Sequence, residues 1–260
     1  MVIEDEPTEI NIAGGYILGS YVNAMSWESA IKVIRGWALQ RQSRYVCICN
    51  VHSIVTAYKD AEFKLALDQA DLVTPDGMPV SWVLRKLGFA GQQRINGPDL
   101  MLKYCEFING SSQSIYLYGS ARDTIAKLRQ SLTTAFPSLR IAGMYSPPFR
   151  MLAEKENSAV VEQINASGAS VVFVSLGCPK QEIWMATNRG KINAVMIGVG
   201  AAFDYHAGTI KRAPLWMQRA GLEWLYRLAQ EPRRLWRRYL VTNSIFICKV
   251  ILPILLGKRT

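Results

Sequence analysis

Along most of the chain, short apolar runs alternate with segments of helical spacing. The runs "YVCICN", "ADLV", "SIYLYG", "LRIAGMY", "SVVFVSLG" and "NAVMIGVG" predict six β-strands. Several are apolar at every position rather than at every second one, the pattern of a strand covered on both faces. Amphipathic helices fall between them. "SWESAIKVIRGWALQ" opens on Ser26 as an N-cap. "GPDLMLKYCEFI" carries Pro98 at the first helical position. "ARDTIAKLRQSLTTAF" follows, and "EKENSAVVEQINASG" closes on Gly168 as a C-cap. This alternation predicts an α/β fold, a Rossmann-like, mainly parallel sheet with helices on both faces. After Gly208 the alternation stops, and "APLWMQRAGLEWLYRLAQEPRRLWRRYLVTNSIFICKVILPILL" has helical spacing broken near Pro232. The expected division is an α/β domain over 1–210 and a helical appendage over 211–260.

Charge sharpens that division. The net charge is +10 over 260 residues, yet Lys211 to Thr260 hold eleven Lys or Arg against two Glu, so the appendage carries +9 and the body about +1. A basic tail meets something anionic: nucleic acid, a lipid surface or phosphates. Its aliphatic run "VTNSIFICKVILPILL" is interrupted by Asn243, Lys249 and Pro253, short of a clean span of about 20 residues. The preferred reading is a basic amphipathic segment lying on an anionic bilayer, with a spanning helix as the alternative. An ordinary solvated helix and a tail covered by a second subunit, giving a homo-oligomer, stay open. The first residues, "MVIEDEPTEI", lack an apolar core, so no secretory signal is expected and the compartment reads as the cytoplasm. Cys47, Cys49, Cys105, Cys178 and Cys248 form no C-x-x-C pair and read as small core residues with reduced thiols. With only His52 and His206 beside them, a zinc site is not expected.

Candidate chemistry gathers at strand ends. "SIYLYG" runs into Gly119-Ser120, "VVFVSLG" into Gly177-Cys178-Pro179, and "AVMIGVG" ends on Gly198 and Gly200. In a parallel sheet these ends share the carboxyl edge, where open α/β sheets bind ligands. Glycine admits a ligand to the backbone and a following helix offers free N–H groups, which suits a phosphate or diphosphate. Asp76, in "TPDGMPV", lies on the same edge, either as a helix cap or as a base in a cleft. The dinucleotide fingerprint fails: Phe203 stands where "GVGAAF" needs a third glycine, and no clear helix pattern follows. A nicotinamide-dependent oxidoreductase therefore ranks third. A P-loop is absent, and so is Asp-x-Asp, which leaves arginines and helix ends to neutralise a diphosphate.

Six strings together resemble the WecG/TagA/CpsF family of bacterial glycosyltransferases: "NVHSIV", "TPDGMPV", "RINGPDL", "LGCPKQEIWM", "GVGAAFDYHAGTIKRAP" and "GLEWLYRLAQEPRR". The resemblance covers about residues 15 to 240. It implies an inverting, metal-independent enzyme of cell-envelope polysaccharide synthesis. Such an enzyme moves a sugar from a UDP-sugar to a polyprenyl-diphosphate-linked sugar on the cytoplasmic face of the membrane. It implies Asp76 as the base, and Asn50, Arg94, Gln181, Arg227 and the Arg233, Arg234, Arg237 group as active-site residues. Some relatives carry Thr where this chain has Ile48, which leaves the sugar's identity open. The remaining candidates for substrate binding are Thr74, Gly77, Asn96, Asp99, Gly119, Ser120, Gly177, Pro179, Gly198, Gly200 and Asp204, with no metal ligand and no cofactor.

Plainer roles compete. Asp99 sits in a helix's first turn, where the dipole alone explains it. Asn96 and Gly97 suit the turn into that helix, and Gln181 near a helix start suits backbone capping. Asp204 and His206 are two neighbours on a loop that need not touch. The rival to the enzyme is an α/β binding module whose basic tail holds nucleic acid or anionic lipid without catalysis. Against nucleic acid stand the aliphatic run after the arginines and the lack of a recognition motif.

Overall fold

The computed structural model describes residues 12–257. The six expected strands are β3 (Arg44–Cys49), β4 (Leu72–Pro75), β5 (Ser114–Gly119), β6 (Arg140–Tyr145), β7 (Val171–Ser175) and β8 (Val195–Gly198). They form one sheet in the order β4-β3-β8-β7-β5-β6, with every neighbouring pair parallel. The fold is thus the α/β, Rossmann-like arrangement that the alternation predicts. Before it, β1 (Gly14–Ile17) and β2 (Ser20–Asn23) make an antiparallel hairpin over the two-residue turn Leu18-Gly19, both at positive φ. The hairpin escaped the sequence reading because "GGYILGSYVN" shows neither sustained alternation nor an Asn-Gly turn.

Each face of the sheet buries its own core. On one side Cys47, Cys49, Tyr116, Tyr118, Val172 and Val174 meet α2 (Val51–Lys59), α3 (Ala61–Asp68), α4 (Met78–Lys86), α7 (Glu154–Ser167) and α8 (Lys180–Asn188). On the other, Val46, Ile48, Leu117, Phe173 and Ile197 meet α1 (Trp27–Leu39), α5 (Gly97–Ile108) and α6 (Arg122–Ala135). Cys47 and Cys49 share a face because strand side chains alternate. All five cysteines are free thiols. The caps match the sequence at Ser26, whose side chain accepts from the Ser29 N–H, and at Gly168, left-handed at φ 68°. One detail shifts: α5 begins at Gly97, so Pro98 takes its second position, and Asn96 caps it.

"GVGAAF" does lead into a helix, α9 (Ala202–His206), too short to leave a readable period. Then come α10 (Leu215–Arg219), α11 (Glu223–Gln230) and α12 (Pro232–Phe246). A π-helical turn, Ile247–Ile251, runs on into α13 (Leu252–Leu255). The helix is therefore continuous for 24 residues, Pro232–Leu255, long and apolar enough to cross a membrane, and only 17% of its most apolar stretch is buried. Pro253, an interruption in the sequence, is absorbed. Proline clashes with the carbonyl one turn earlier, and a π-turn widens the helix at that point. Phe246 and Val250 anchor the helix to the core, and α12 packs on α2.

Candidate functional site

Five strands deliver residues to one cavity of about 770 Å³. Asn50 follows β3, Asp76 and Gly77 follow β4, Ser120 follows β5, Gly177 follows β7, and Gly198 and Gly200 close β8. This is the carboxyl edge of the sheet, the expected place for a ligand in an open α/β fold. The volume lies in the range of small-molecule sites. The appendage roofs it with Glu223, Arg227, Arg234, Arg238 and Tyr239.

Asp76 is not a helix cap. Gly77, at φ 82°, occupies the N-cap of α4 and no side chain caps that helix. The Asp76 backbone is pinned instead, its N–H donating to the Cys49 carbonyl at 2.8 Å. Its carboxylate receives Arg94 Nε on Oδ1 at 2.9 Å. Oδ2 accepts nothing from the described residues. The side chain is 18% exposed and the residue lines the cavity.

Arg94 belongs to a chain of alternating charges. Its Nη2 donates to Glu223 Oε2 at 2.6 Å. Glu223 Oε1 lies 3.5 Å from Arg212 Nε. Arg212 reaches both Asp99 oxygens and the Asn96 side-chain oxygen. Burial opposes a charge on Arg94, but Asp76 and Glu223 hold its pKa above the ordinary arginine value. Burial also opposes the charge on Asp99; bonds from Arg212 and Asn96 outweigh it and hold that carboxyl below its usual value. Asp99 therefore sits beside the cavity as an anchor for Arg212, not in its wall. Asn96 is buried and caps α5, accepting from the Asp99 N–H at 3.0 Å.

Asn50 has two ends with two duties. Its Oδ1 caps α2, accepting from the Ser53 N–H at 3.1 Å within a capping box. Its Nδ2 donates to none of the described residues, in a residue that lines the cavity. Gln181 is buried and gives Nε2 to Glu182 Oε1 at 2.9 Å, while its own Oε1 is left without a partner. Asp204 lines the cavity and accepts from Thr209 Oγ1 at 3.4 Å; burial raises its pKa. His206 turns away to the Pro98 carbonyl, 2.9 Å from Nε2, so it makes no pair with Asp204. Arg227 stacks over the Tyr205 ring at 5.6 Å.

Other candidates lie outside the cavity wall. Thr74 is buried and its hydroxyl donates to the Ile95 carbonyl at 3.4 Å. Gly119 serves close packing: a Cβ there would meet the Ser175 carbonyl oxygen at 2.2 Å, and its φ is 119°. Pro179 precedes α8 without facing the space. All four tail arginines are exposed, but Arg234 and Arg238, one helical turn apart, line the cavity mouth and Arg233 and Arg237 do not. Among the described residues no group of three His, Cys, Asp or Glu is placed to hold a metal ion.

The sequence reading missed Arg212, Glu223, Arg238, His52 and Glu182. The first two occupy unremarkable positions in "IKRAP" and "GLEWL" and gain meaning only through contacts across the fold. Arg238 required the helical phase of α12. His52 lines the cavity with Nε2 unpartnered, and burial, aided by Arg238, lowers its pKa to about 4, so it is a neutral imidazole. Glu182 is fully buried with Oε2 unpartnered, and burial raises its pKa to about 7. An acid inside the apolar side of "KQEIWM" was the one available signal.

Known proteins are similar to this chain in sequence. The sequence pattern of the glycosyl transferase WecG/TagA/CpsF family matches residues 16–260. An N-acetylglucosaminyldiphosphoundecaprenol N-acetyl-beta-D-mannosaminyltransferase of Bacillus spizizenii is 34% identical over 202 residues, covering 77% of this chain and 76% of that protein. A protein of the same description from Bacillus subtilis is 33% identical over 202 residues, covering 77% of each.

Proposed function

Because the chain belongs to the WecG/TagA/CpsF glycosyl transferase family, we propose that it moves a sugar from a UDP-sugar to a polyprenyl-diphosphate-linked sugar, with inversion at the anomeric carbon. The relatives' descriptions make UDP-N-acetylmannosamine the first donor to try and an N-acetylglucosaminyl-diphosphoundecaprenol the first acceptor. The observation that carries this reading is Asp76 in the cavity wall, with Oδ1 held by Arg94 and Oδ2 without a hydrogen-bond partner among the described residues.

In this mechanism Asp76 accepts the proton of an acceptor hydroxyl as that oxygen attacks the anomeric carbon. The new C–O bond forms on one face while the bond to the diphosphate oxygen breaks on the other, so one displacement inverts the centre. Negative charge grows on the departing UDP. Arg227, Arg234 and Arg238 in the roof are the groups that would receive it. No Asp-x-Asp pair occurs in the sequence, and in this reading arginines do the work that such a pair does through a metal ion. Asn50 Nδ2 supplies a donor to a sugar or phosphate oxygen.

The outer surface of the appendage supports a seat on an anionic bilayer at the cytoplasmic face. Leu215, Trp216, Leu225, Trp236 and Leu240 are exposed beside Arg233 and Arg237. This mixture of aromatic, aliphatic and cationic groups suits a lipid interface better than a nucleic-acid backbone. The test is a transfer assay with UDP-N-acetylmannosamine and the lipid-diphosphate sugar, followed by mass and anomeric configuration. Asp76→Asn should cut turnover by about 10²- to 10⁴-fold, the usual worth of a positioned base. Undiminished turnover in that variant rejects Asp76 as base; a retained configuration rejects the single displacement.

A further inference from the structure

Gln181 and Glu182 lie in the first turn of α8, both buried and both in the cavity wall. The Gln181 amide lies against the bare backbone at the end of β8, where a Cβ at Gly198 would meet Nε2 at 3.0 Å. Nε2 donates to Glu182 Oε1 at 2.9 Å. Two buried oxygens are then left without partners among the described residues, Gln181 Oε1 and Glu182 Oε2. Gln181 Oε1 borders a gap. Where a Gly200 side chain would begin, the atoms within 4 Å, chain neighbours aside, are Gln181 Oε1 at 3.7 Å and Nε2 at 4.0 Å. Gly200 lines the cavity, so a ligand atom entering that gap meets the far end of the amide.

An amide keeps its shape when its oxygen and nitrogen exchange places. Which way Gln181 points is therefore set by what Glu182 offers it. An ionised Glu182 only accepts, so it holds the nitrogen and turns the oxygen to the Gly200 gap. A protonated Glu182 in the same arrangement carries its proton on Oε2, a buried donor with no acceptor, which is costly. With the amide reversed, the proton sits on Oε1 and is donated to the Gln181 oxygen, and the NH2 group faces the gap. We propose that Glu182 is a positioning residue whose proton reverses the Gln181 amide, giving the cavity an N–H donor at Gly200 for a ligand oxygen that carries no hydrogen. Such oxygens occur on the diphosphate of a UDP-sugar and on an acetamido carbonyl. That choice of ligand rests on the function proposed above; the switch does not. The titratable groups facing Glu182 are the thiols of Cys47 and Cys49 from β3 and of Cys178 from the loop before α8, all held neutral by burial. Two charges lie beyond them, Asp76 beside Cys49 and Arg238 of α12 beside Cys178. His52 of α2 is a neutral imidazole, and α3 and β8 turn uncharged side chains inward where they pack on α8. Burial raises the Glu182 carboxyl to about 7, so its proton is exchanged near neutral pH.

The experiment is nuclear magnetic resonance of the isotope-labelled full-length protein without ligand, the Gln181 side-chain amide being identified by its loss in Gln181→Met. Its resonances should shift with a midpoint of about pH 7 and stay fixed in Glu182→Gln, which can accept or donate without titrating. The ligand arm is calorimetric titration with UDP-N-acetylmannosamine and with UDP-glucose in buffers of different ionisation enthalpy. The diphosphate of a UDP-sugar does not itself titrate near neutral pH. Because the protonated form is the one that binds, affinity should fall by about tenfold from pH 6.5 to 8, with a proton taken up on binding. Both effects should vanish in Glu182→Gln and in Gln181→Met, which a merely structural Glu182 would not produce. Uptake with both donors places the oxygen in the UDP part; uptake with the acetamido sugar alone places it on the acetamido carbonyl. A Gln181 amide that does not titrate overturns the switch, and binding without proton uptake overturns its link to the ligand. A protein whose amide titrates but which binds no UDP-sugar rejects the proposed function and not the switch; an active protein with a fixed amide does the reverse.

Discussion

Arg94 and Glu223 lie 129 residues apart in the chain and 2.6 Å apart in the fold. Arg94 also holds Asp76, so a residue of the appendage reaches the candidate base through one guanidinium. Removing Glu223 leaves Arg94 with Asp76 alone, free to close on both carboxylate oxygens and occupy the one meant for substrate. Glu223→Ala should lower kcat by about tenfold or more, with a smaller change in KM. Glu223→Gln, which keeps an acceptor for Arg94, should fall between. A Glu223→Ala variant whose kcat equals the parent's shows that the contact only ties the appendage down.

Asn50 allows cap and ligand roles to be separated. Asn50→Asp retains an oxygen to cap α2 and loses the Nδ2 donor. Its melting temperature should stay near the parent's while activity falls. Asn50→Ala should in addition lose about 1 kcal/mol of stability with the cap. Activity in Asn50→Asp equal to the parent's rejects the donor role.

The two faces of α12 should divide two functions. Arg234→Ala and Arg238→Ala should weaken turnover and UDP binding. Arg233→Glu with Arg237→Glu should spare both in a detergent assay but reduce sedimentation with vesicles containing phosphatidylserine. Each arginine near such a surface is worth about 1 kcal/mol, so losing two weakens partition by about 30-fold at low salt, and the two new carboxylates, repelled by the same surface, weaken it further. Vesicle binding unaffected by the double change, and by added salt, places the seat elsewhere. Carbonate extraction of native membranes then separates a surface helix, which is released, from a spanning one, which is retained.

Glu182 should make stability depend on pH. Unfolded, it ionises near 4.5; in the fold, burial raises that to about 7. Between those values the folded protein keeps a proton that the unfolded chain has released. The stabilisation from this group is fully present below 4.5, declines as pH rises and is gone above about 7. The swing amounts to about 3 kcal/mol. Glu182→Gln abolishes it, so the difference in melting free energy should shift in the variant's favour from pH 4.5 to 8. A constant difference across that range shows the carboxyl is not held neutral.

Much of the fold was legible because strands covered on both faces must be apolar throughout. "SVVFVSLG" and "NAVMIGVG" admit few other readings in a chain that also carries amphipathic helices of ten to fifteen residues. The hairpin at Gly14–Asn23 was hidden because two four-residue strands leave too short a pattern. Among site residues, Asp76 stood out by its turn, but whether it capped a helix depended on the φ of Gly77 and on Arg94 arriving from eighteen residues away. The arginines of "EPRRLWRRYL" were visible as a group. Which of them face the cavity depended on the phase of one helix docked against α2.

The sequence alone determined the α/β class, the set of strand ends that carry glycine and Asp76, and the split between a near-neutral body and a basic tail. These are properties of local pattern and composition, written within a few residues of one another. The tertiary structure decided that Asp76 presents a free oxygen, that Glu223 and Arg212 join the site, and that Arg234 and Arg238 of α12 line the cavity. Those facts depend on hydrogen bonds of a few ångströms between segments remote in the chain, and half a turn of helix phase reverses which side chain meets the ligand and which meets solvent.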